Sequence, residues 1–494
     1  MEPLTLSTVD PAAAKLLGYD DSTKYQALAI KQEAEHLWVA MAAPGDNAAL
    51  ADLADLTGLF IVPVPANADD IRLLISQLLA PDAIHSIASQ FVVDTRLSRD
   101  SEMQSPEFVA EISAAPAVRL IDSMIEVGIL HRASDIHIEP CGGTLRTRCR
   151  VDGILRTYNQ VDISLLQNVI SRLKIMGGMD ISENRRPQDG RFTMTVHGEK
   201  IEFRLSTLPT TCGEKAVIRL LYDQGAQLSK HELGFFEDDL ERLTRLFHKP
   251  YGAIFITGPT GSGKSTTLSG FMAELNREGV NIVTVEDPVE NPIVGVNHVN
   301  VEQAAGFTFA GALRHILRQD PDIIMIGEIR DEETARIAVQ AATTGHVVLS
   351  TLHTNDAAGV IERLMDMGIE PYLSASALVG VISQRLVRRL CGQCAALAGL
   401  SPVHARLFGL PQDVKVLEAK GCDSCGNTGY KGRIAVYEYI IPDDEMQREM
   451  SVHPYECAAK LRKRNAFKAN ALRHLLAGHT SAAEIAKILT QSEA

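Results

Sequence analysis

Hydrophobic and polar residues change their period several times along the first hundred residues. Residues 36–41 and 59–62 are apolar runs typical of strands. Residues 47–56 and 69–79 instead carry apolar positions three and four apart, as amphipathic helices do. We therefore predict a small N-terminal α/β module at residues 1–93.

A second unit follows a polar, aperiodic segment at residues 94–107, which is typical of a linker. Residues 118–130 have helical spacing of apolar positions, and four later segments alternate apolar and polar residues as half-buried strands do. Those segments are residues 136–139, 145–151, 192–196 and 201–205. The mixture predicts an α+β domain at residues 108–224, and we interpret residues 225–234 as a hinge.

From residue 235 onward, fully apolar strands alternate with helices. The expected strands are residues 253–257, 281–285, 323–326 and a further strand within 345–355. Strands that are apolar on both faces, with helices between them, predict a parallel sheet covered on both sides. The chain is therefore predicted to be a multidomain α/β protein whose last domain is residues 235–494.

Composition narrows the class of protein. A chain of 494 residues suggests about three domains. The 48 basic and 62 acidic residues give a formal charge of −14, which argues against a surface for non-specific nucleic-acid binding. The sequence has neither an uncharged apolar stretch of about 18 residues nor a signal peptide at its start. Eight cysteines in so long a chain do not form a disulfide scaffold, which favours a reducing cytoplasm.

The strongest chemical signal follows the first apolar strand of the last domain. It is Gly258-Pro259-Thr260-Gly261-Ser262-Gly263-Lys264-Ser265-Thr266. The spacing G-x-x-x-x-G-K-[ST] between a strand and a helix is that of a phosphate-binding loop, in which backbone N–H groups and the helix N-terminus surround an anion. Lys264 can reach the β- and γ-phosphates and the Ser265 hydroxyl can ligate Mg²⁺. The sequence thus predicts a nucleoside triphosphate site.

Carboxylates follow two of the predicted parallel strands. Glu286, Asp287 and Glu290 come directly after one strand, and Glu328 comes after another. Ligands of open α/β sheets bind at the carboxyl ends of the strands, so these acids are candidates for holding Mg²⁺ or polarising water. The alternative is that they are helix N-caps, which the neighbouring phosphate loop makes less favourable.

Histidines and arginines near these strands have two interpretations each. His346 and His353 flank a strand, and either one is a γ-phosphate contact or an ordinary structural residue. Arginines from another domain or subunit often stabilise a transferred phosphoryl group, whereas solvated salt bridges are the simpler interpretation. The candidates are Arg204, Arg219, Arg314, Arg318, Arg330 and Arg336.

Two C-x-x-C pairs, Cys391/Cys394 and Cys422/Cys425, indicate a metal site. Four thiolates in two such pairs fit tetrahedral zinc, and no histidine or carboxylate opens the site for catalysis. A redox function is the alternative, although two pairs exceed what a dithiol switch needs. We therefore predict structural Zn²⁺.

Together, these motifs resemble those of the secretion and pilus ATPases, most closely the type II secretion ATPases (the general secretory pathway protein E family). The resemblance runs from residue 115 to 437. It rests on the phosphate loop, the aspartate box at 284–290, the glutamate segment 317–331, the histidine box at 345–355, and the amino-side motifs at 133–140 and 185–191.

The resemblance implies a RecA-like P-loop core at residues 235–494 that contains a zinc module at 388–435 and C-terminal helices, preceded by a PAS-like α+β domain. It implies ATP hydrolysis with Mg²⁺, for which Glu328 is needed and which Glu286, Asp287 and Glu290 support. His353 and the six arginines are then candidate catalytic residues, and His346 is a candidate nucleotide contact, as are all nine phosphate-loop residues.

The resemblance also implies partners and a location. Family members form hexameric rings on the cytoplasmic face of the inner membrane of Gram-negative bacteria and move a platform protein in that membrane. Residues 1–100 are then expected to dock on inner-membrane platform and cytoplasmic-domain proteins of the secretion machine. Acidic phospholipid is a further candidate partner, and no specific nucleic acid is expected.

Three other functions remain open at this stage. A type IV pilus extension ATPase would share the same chemistry with a different platform. A nucleic-acid translocase would share the phosphate loop, but the acidic balance and the cysteine pairs argue against it. A catalytically inactive scaffold would require damaged motifs, and none is visible. A translocase should hydrolyse ATP faster when DNA is added. A secretion or pilus motor should instead be stimulated by acidic phospholipid together with the platform protein.

Overall fold

The structure, a computed structural model, describes residues 4, 8–79, 118, 120–196, 199–222, 229–302 and 306–492. The chain divides between Asp223 and Gln224 into two compact units. The predicted linker at residues 94–107 lies outside the described residues, as does part of the predicted hinge. The domain boundaries given above therefore stay predictions.

The first unit begins with a three-stranded sheet in the order β1-β2-β3. The strands are β1 Ala27–Glu33, β2 His36–Met41 and β3 Phe60–Pro65. Its helices are Pro11–Ala14, Tyr19–Tyr25, Asn47–Thr57 and Ala68–Leu78. β2 runs parallel to β3 and antiparallel to β1, so the α/β module that the sequence predicts contains one strand, β1, that its pattern did not reveal.

A six-stranded antiparallel sheet, in the order β6-β5-β4-β9-β8-β7, completes the first unit. The strands are β4 Asp135–Cys141, β5 Thr144–Val151, β6 Ile154–Asp162, β7 Gln188–Val196, β8 Glu199–Thr210 and β9 Gly213–Leu221. Residues 120–130 and Leu166–Met176 are helical and pack with the apolar face of the sheet. The predicted α+β class of this domain is confirmed, because helices pack on one face of an antiparallel sheet. The side chains of its strands alternate between apolar and polar, which leaves the other face of the sheet polar.

The second unit is built on a seven-stranded sheet in the order β12-β11-β13-β14-β10-β15-β18. The strands are β10 Gly252–Thr257, β11 Ile282–Glu286, β12 Asn297–Asn300, β13 Ile323–Ile326, β14 Val347–Leu352, β15 Leu378–Leu390 and β18 Tyr430–Ile440. The strands from β12 to β15 in the sheet are parallel. The sequence pattern predicted a parallel sheet, and six of the seven strands of this sheet are parallel. The seventh, β18, is antiparallel to β15.

Helices cover both faces of this sheet. They are Glu237–Phe247, Lys264–Leu275, Phe309–Ile316, Glu332–Thr343, Gly359–Asp366, Pro371–Ala377, Pro402–Phe408, Asp444–Val452, Pro454–Arg462, Ala466–Leu476 and Ala482–Ser492. All six residues of β10 are buried. Phe255 belongs to one core cluster, whereas its neighbours Ile254 and Ile256 belong to another, because successive strand residues face opposite sides.

A small excursion connects β15 to β18. It contains β16 Ala396–Gly399 and β17 Lys415–Glu418, which pair antiparallel, and the helix Pro402–Phe408. Phe408 packs in one cluster with Leu475 and Ile485 of the last two helices. The excursion leaves the sheet at Leu390 and returns at Tyr430, which are direct partners in the ladder.

Helices of the described residues are all too short or too polar to cross a membrane.

Candidate active site

The carboxyl ends of four parallel strands meet at one edge of the large sheet. Thr257, the last residue of β10, is the ladder partner of Leu352, the last residue of β14. Ile326 at the end of β13 pairs with both Ser350 of β14 and Val285 of β11. The residues that follow these strands include the phosphate loop, Glu328 and His353, so the structure brings the predicted motifs to a single edge, which is where open α/β sheets bind ligands.

The phosphate loop has the backbone that its glycines allow. Gly258, Gly261 and Gly263 have positive φ values of 140°, 77° and 85°. At Gly258 a side chain is also excluded by space, because a Cβ there would lie 2.3 Å from the carbonyl oxygen of Gln384. Gly263 is the N-cap of the helix Lys264–Leu275. Unpaired N–H groups of the first helical turn therefore face the loop.

Lys264 is held inside the loop. Its Nζ donates to the carbonyl oxygens of Gly258 and Pro259 at 2.9 and 3.2 Å. Burial lowers the pKa of this ammonium, and the negative charge of Glu328 partly opposes that effect. The side chain is thus a localised positive charge, close to Glu328, with weak neutral partners that a phosphate oxygen can replace.

The base of the phosphate loop is tied to the residues after β14. Thr257 Oγ1 lies 2.7 Å from Thr354 Oγ1 and donates to the Leu352 carbonyl at 3.0 Å. The backbone N–H of Thr354 in turn donates to Thr257 Oγ1 at 2.9 Å. The loop and the histidine box are therefore fixed to each other.

Gln384 on β15 is a further support of the loop that the sequence pattern did not reveal. Its side-chain Nε2 donates to the Ser262 carbonyl at 2.8 Å, and its Oε1 accepts from Thr267 Oγ1 at 3.0 Å. Gln384 is fully buried, and Ser262 and Thr267 are nearly so. One amide therefore joins the loop and the helix after it to the neighbouring strand. No local pattern around residue 384 could have indicated this role.

Glu328 lies between a histidine and an arginine. Arg330 Nη2 contacts Glu328 Oε1 at 2.7 Å, and His353 Nε2 lies 3.5 Å from Glu328 Oε2. The hydrogen bond to Glu328 raises the pKa of Arg330. The structure thus places Glu328, Arg330, His353 and Lys264 close together, which is an arrangement that can orient water next to bound phosphate.

Glu286 ends β11, beside Glu328. A Cβ at Gly327 would lie 3.4 Å from Glu286 Cα, so the backbone segments that follow β11 and β13 are in close contact there. Glu286 Oε1 accepts hydrogen bonds from Thr284 Oγ1 at 2.7 Å and from His298 Nδ1 at 2.9 Å. His298, on β12, was not singled out from the sequence. Asp287 and Glu290 are exposed in the turn after β11.

Several predicted residues lie elsewhere. His346 precedes β14, at its amino end, and its Nδ1 lies 3.1 Å from the Ala341 carbonyl. The structure therefore does not bring His346 to the edge that carries the phosphate loop. Three arginines of the second unit have partners of their own: Arg314 with Glu333, Arg318 with the Arg314 carbonyl, and Arg336 with Glu332. They stay candidates without a direct link to Glu328.

The two arginines of the first unit lie side by side on the polar face of its sheet. Arg204 on β8 is the ladder partner of Arg219 on β9. Arg219 Nε contacts Asp135 Oδ1 at 3.0 Å. Arg204 Nε is buried and has no hydrogen-bond partner among the residues that the structure describes. A buried guanidinium nitrogen without a partner is suited to donate a hydrogen bond to an anion.

The four predicted cysteines converge on one point. Their Sγ atoms all lie within 4.8 Å of one another, with separations of 3.9 Å for Cys391–Cys422 and for Cys394–Cys425 and 3.7 Å for Cys422–Cys425. Four thiolates at about 2.3 Å from a central Zn²⁺ would stand about 3.8 Å apart. Backbone N–H groups of Cys422 and Gly429 donate to Cys425 Sγ at 3.2 and 3.1 Å, which favours a thiolate there. The donor set and its spacing fit a tetrahedral thiolate site.

Comparison with known proteins decides the family. Residues 110–487 match the family model described as Type II/IV secretion system protein. The chain belongs to this family. Residues 2–85 match a second model, the MshEN domain. The family is one of secretion and pilus ATPases, so the activity of the chain is ATP hydrolysis.

Relatives come from both branches of the family. The chain is 45% identical over 398 residues to the putative type II secretion system protein E of Escherichia coli K12, covering 79% of this chain and 81% of that protein. It is 39% identical over 491 residues to the type IV pilus assembly ATPase PilB of Myxococcus xanthus, covering 97% and 86%. The crystal structure of the pilus retraction motor PilT with ADP is similar at 25% identity and a TM-score of 0.51, over 74% and 95%. The resemblance noted from the motifs is thereby confirmed.

Proposed function

We propose that this ATP hydrolase works as a hexameric ring that drives pseudopilus assembly and protein export by a type II secretion system. The observation that carries the proposal is the convergence of Lys264, Glu328 and His353 at one sheet edge. The similarity to the secretion protein E of Escherichia coli supports the choice of machine.

ATP and Mg²⁺ are assigned to the phosphate-loop edge. Lys264 would hold the β- and γ-phosphates, giving up its contacts with the Gly258 and Pro259 carbonyls, and the Ser265 hydroxyl would ligate Mg²⁺. Glu328 would orient the attacking water, with His353 beside it. Glu286, with Asp287 and Glu290 in the same turn, would support the metal and its water.

Arginines of the first unit are proposed to complete the site of a neighbouring subunit. Arg204 and Arg219 lie side by side, and Arg204 Nε has no partner among the described residues. An arginine finger is worth about 10³–10⁵ in rate. Mixing an R204A/R219A chain with a K264A chain should restore activity, because some interfaces then pair an intact loop with intact arginines. If the mixture stays inactive, the arginines do not act across subunits.

The four cysteines are proposed to hold one structural Zn²⁺. Thiolates at all four positions leave no coordination site for substrate, so the ion would cross-link the excursion between β15 and β18. No catalytic step is assigned to it.

Residues 1–93 are proposed to dock the ring on the inner membrane. The module has its own core, formed by residues such as Leu37, Val39 and Leu53. We assign it an inner-membrane platform or cytoplasmic-domain protein of the secretion machine, with acidic phospholipid as a second partner. The protein would then be cytoplasmic and peripheral on the inner membrane of a Gram-negative bacterium.

A type IV pilus extension ATPase is the second candidate. It is favoured by the similarity to PilB of Myxococcus xanthus, which extends over 97% of this chain, including the N-terminal module. The chemistry at the phosphate-loop edge is the same in both cases.

Deletion of the gene in its own host tests the choice of machine. The secretion assignment predicts that exported proteins accumulate in the periplasm while surface pili are unchanged, and that the wild-type gene but not K264A restores export. Loss of pili with normal export would overturn the secretion assignment in favour of the pilus motor. K264A serves as the control that ATP hydrolysis, rather than the presence of the chain, is needed.

A further inference from the structure

A histidine outside the predicted motifs holds Glu286 in place. His298 lies on β12, and its Nδ1 is 2.9 Å from Glu286 Oε1 and 2.8 Å from Thr284 Oγ1. Thr284 Oγ1 itself donates to Glu286 Oε1 at 2.7 Å. Thr284 is fully buried, and the side chains of His298 and Glu286 are only 11% and 15% exposed. The three side chains therefore form a compact cluster at the phosphate-loop edge.

The other ring nitrogen fixes the tautomer of His298. The backbone N–H of Ile293 donates to His298 Nε2 at 2.9 Å. A nitrogen that accepts a hydrogen bond carries no proton, so the ring is neutral and its proton is on Nδ1. Nδ1–H then donates to Glu286 Oε1, shared with Thr284 Oγ1. The ring thus links the backbone after β11 to the carboxylate at the end of β11.

Two hydrogen bonds to Oε1 of Glu286 fix the direction in which its second oxygen, Oε2, points. Oε1 receives both the Thr284 hydroxyl and the His298 N–H, whereas Oε2 receives no hydrogen bond within the described residues. Glu286 is in close contact with the chain at Gly327, next to Glu328. Rotation of the Glu286 side chain would break both hydrogen bonds, so the carboxylate presents Oε2 in one orientation.

We propose that His298 is a positioning residue for ATP hydrolysis. As its Nδ1–H tautomer it holds Glu286 so that Oε2 is available to water or to a metal-bound water at the active edge. The inference rests on the proposed role of Glu286 at that edge. His298 does not itself contact substrate, and its effect on catalysis passes through Glu286.

Glutamine and leucine at position 298 separate hydrogen bonding from packing. An amide can accept from the Ile293 N–H and donate to Glu286 Oε1, whereas leucine fills the space and can do neither. In steady-state ATPase assays of the full chain, H298L should lower kcat by about tenfold to a hundredfold, since misplacing a catalytic group costs rates of that order. Its KM for ATP should stay within about twofold. H298Q should recover most of the lost kcat. H453L, at an exposed histidine, is the matched control and should behave as wild type.

A double-mutant cycle with E286Q identifies the route of the effect. If His298 acts through Glu286, H298L should change kcat little in the E286Q background. Full additivity, wild-type kcat in H298L, or H298Q as impaired as H298L with normal thermal stability would each overturn the proposal. Failure of the proposed function is distinguishable, because then E286Q alone would keep wild-type kcat.

Discussion

Replacing Gln384 by leucine removes a fully buried amide that joins the phosphate loop to β15. The substitution takes away the donor to the Ser262 carbonyl and the acceptor for Thr267 Oγ1. Leucine is of similar size, so the main loss is the pairing of two polar groups in a nearly dry environment.

The magnitude follows from the two groups left without partners. A buried polar group that loses its hydrogen bond costs about 1–3 kcal/mol, so two cost about 2–6 kcal/mol. The added apolar surface of leucine offsets part of this, about 1–2 kcal/mol. The central values, about 4 and about 1.5 kcal/mol, leave a net loss of about 2.5 kcal/mol in unfolding free energy. For a unit of this size each kcal/mol lowers Tm by about 2–4 °C, so Tm should fall by roughly 5–10 °C.

Thermal denaturation followed by circular dichroism, together with binding of a fluorescent ATP analogue, checks this prediction. Because the loop itself is loosened, Q384L should also bind nucleotide more weakly. T267V is the matched comparison, since it removes the hydroxyl and leaves only Gln384 Oε1 without its donor. Its loss of stability should be about half that of Q384L. If Q384L keeps the wild-type Tm and nucleotide Kd, the amide does not support the loop.

Three further predictions concern catalysis, metal binding and pH. E328Q should keep ATP bound while kcat falls by a factor of about 10²–10⁴, because the amide keeps the shape of the carboxylate but not the charge that orients water. Weak nucleotide binding together with normal turnover in single-turnover assays would contradict this prediction. Metal analysis should find about one zinc per chain, and this zinc should be lost in C422S. Chelation should destabilise the excursion before it affects nucleotide binding. A metal-free chain of normal stability would contradict the zinc assignment. Although burial raises the pKa of Glu139, Arg148 and Lys215 lower it to about 2, below its ordinary value of 4.5. Its stabilisation is therefore present above about pH 4.5 and is lost as pH falls to about 2, so E139Q should destabilise the first unit in urea at pH 7 but much less at about pH 2. An equal loss at both pH values would refute the ionic contribution.

Residues that could be predicted from the sequence are those whose function depends on local spacing. The phosphate loop, the acids after β11 and β13 and the two cysteine pairs each occupy a short segment whose pattern matches a known chemistry. Four of the six parallel strands, β10, β11, β13 and β14, were visible for the same reason, because a run that is buried on both faces is apolar throughout.

Partners that are distant in sequence were not predictable. Gln384 meets Ser262 across 122 residues, and nothing near either residue indicates the other. His298 contacts Glu286 only because β12 pairs with β11. His346 shows the converse limit, since its place in a motif suggested a nucleotide contact but the direction of β14 puts it at the strand's other end. No strand was predicted at Leu378–Leu390 or Tyr430–Ile440, so β15 and the antiparallel β18 that pairs with it were both missed.

The route of the chain around the cysteine cluster has a consequence for how such proteins can change in evolution. Leu390 and Tyr430 are ladder partners, so a short turn between them would close the sheet without the excursion. However, Phe408 of the excursion covers Leu475 and Ile485 of the last two helices, which would otherwise expose apolar surface. The excursion and the C-terminal helices are therefore expected to be inherited or deleted as one unit, because either of them alone would expose the apolar side chains with which the two pack together.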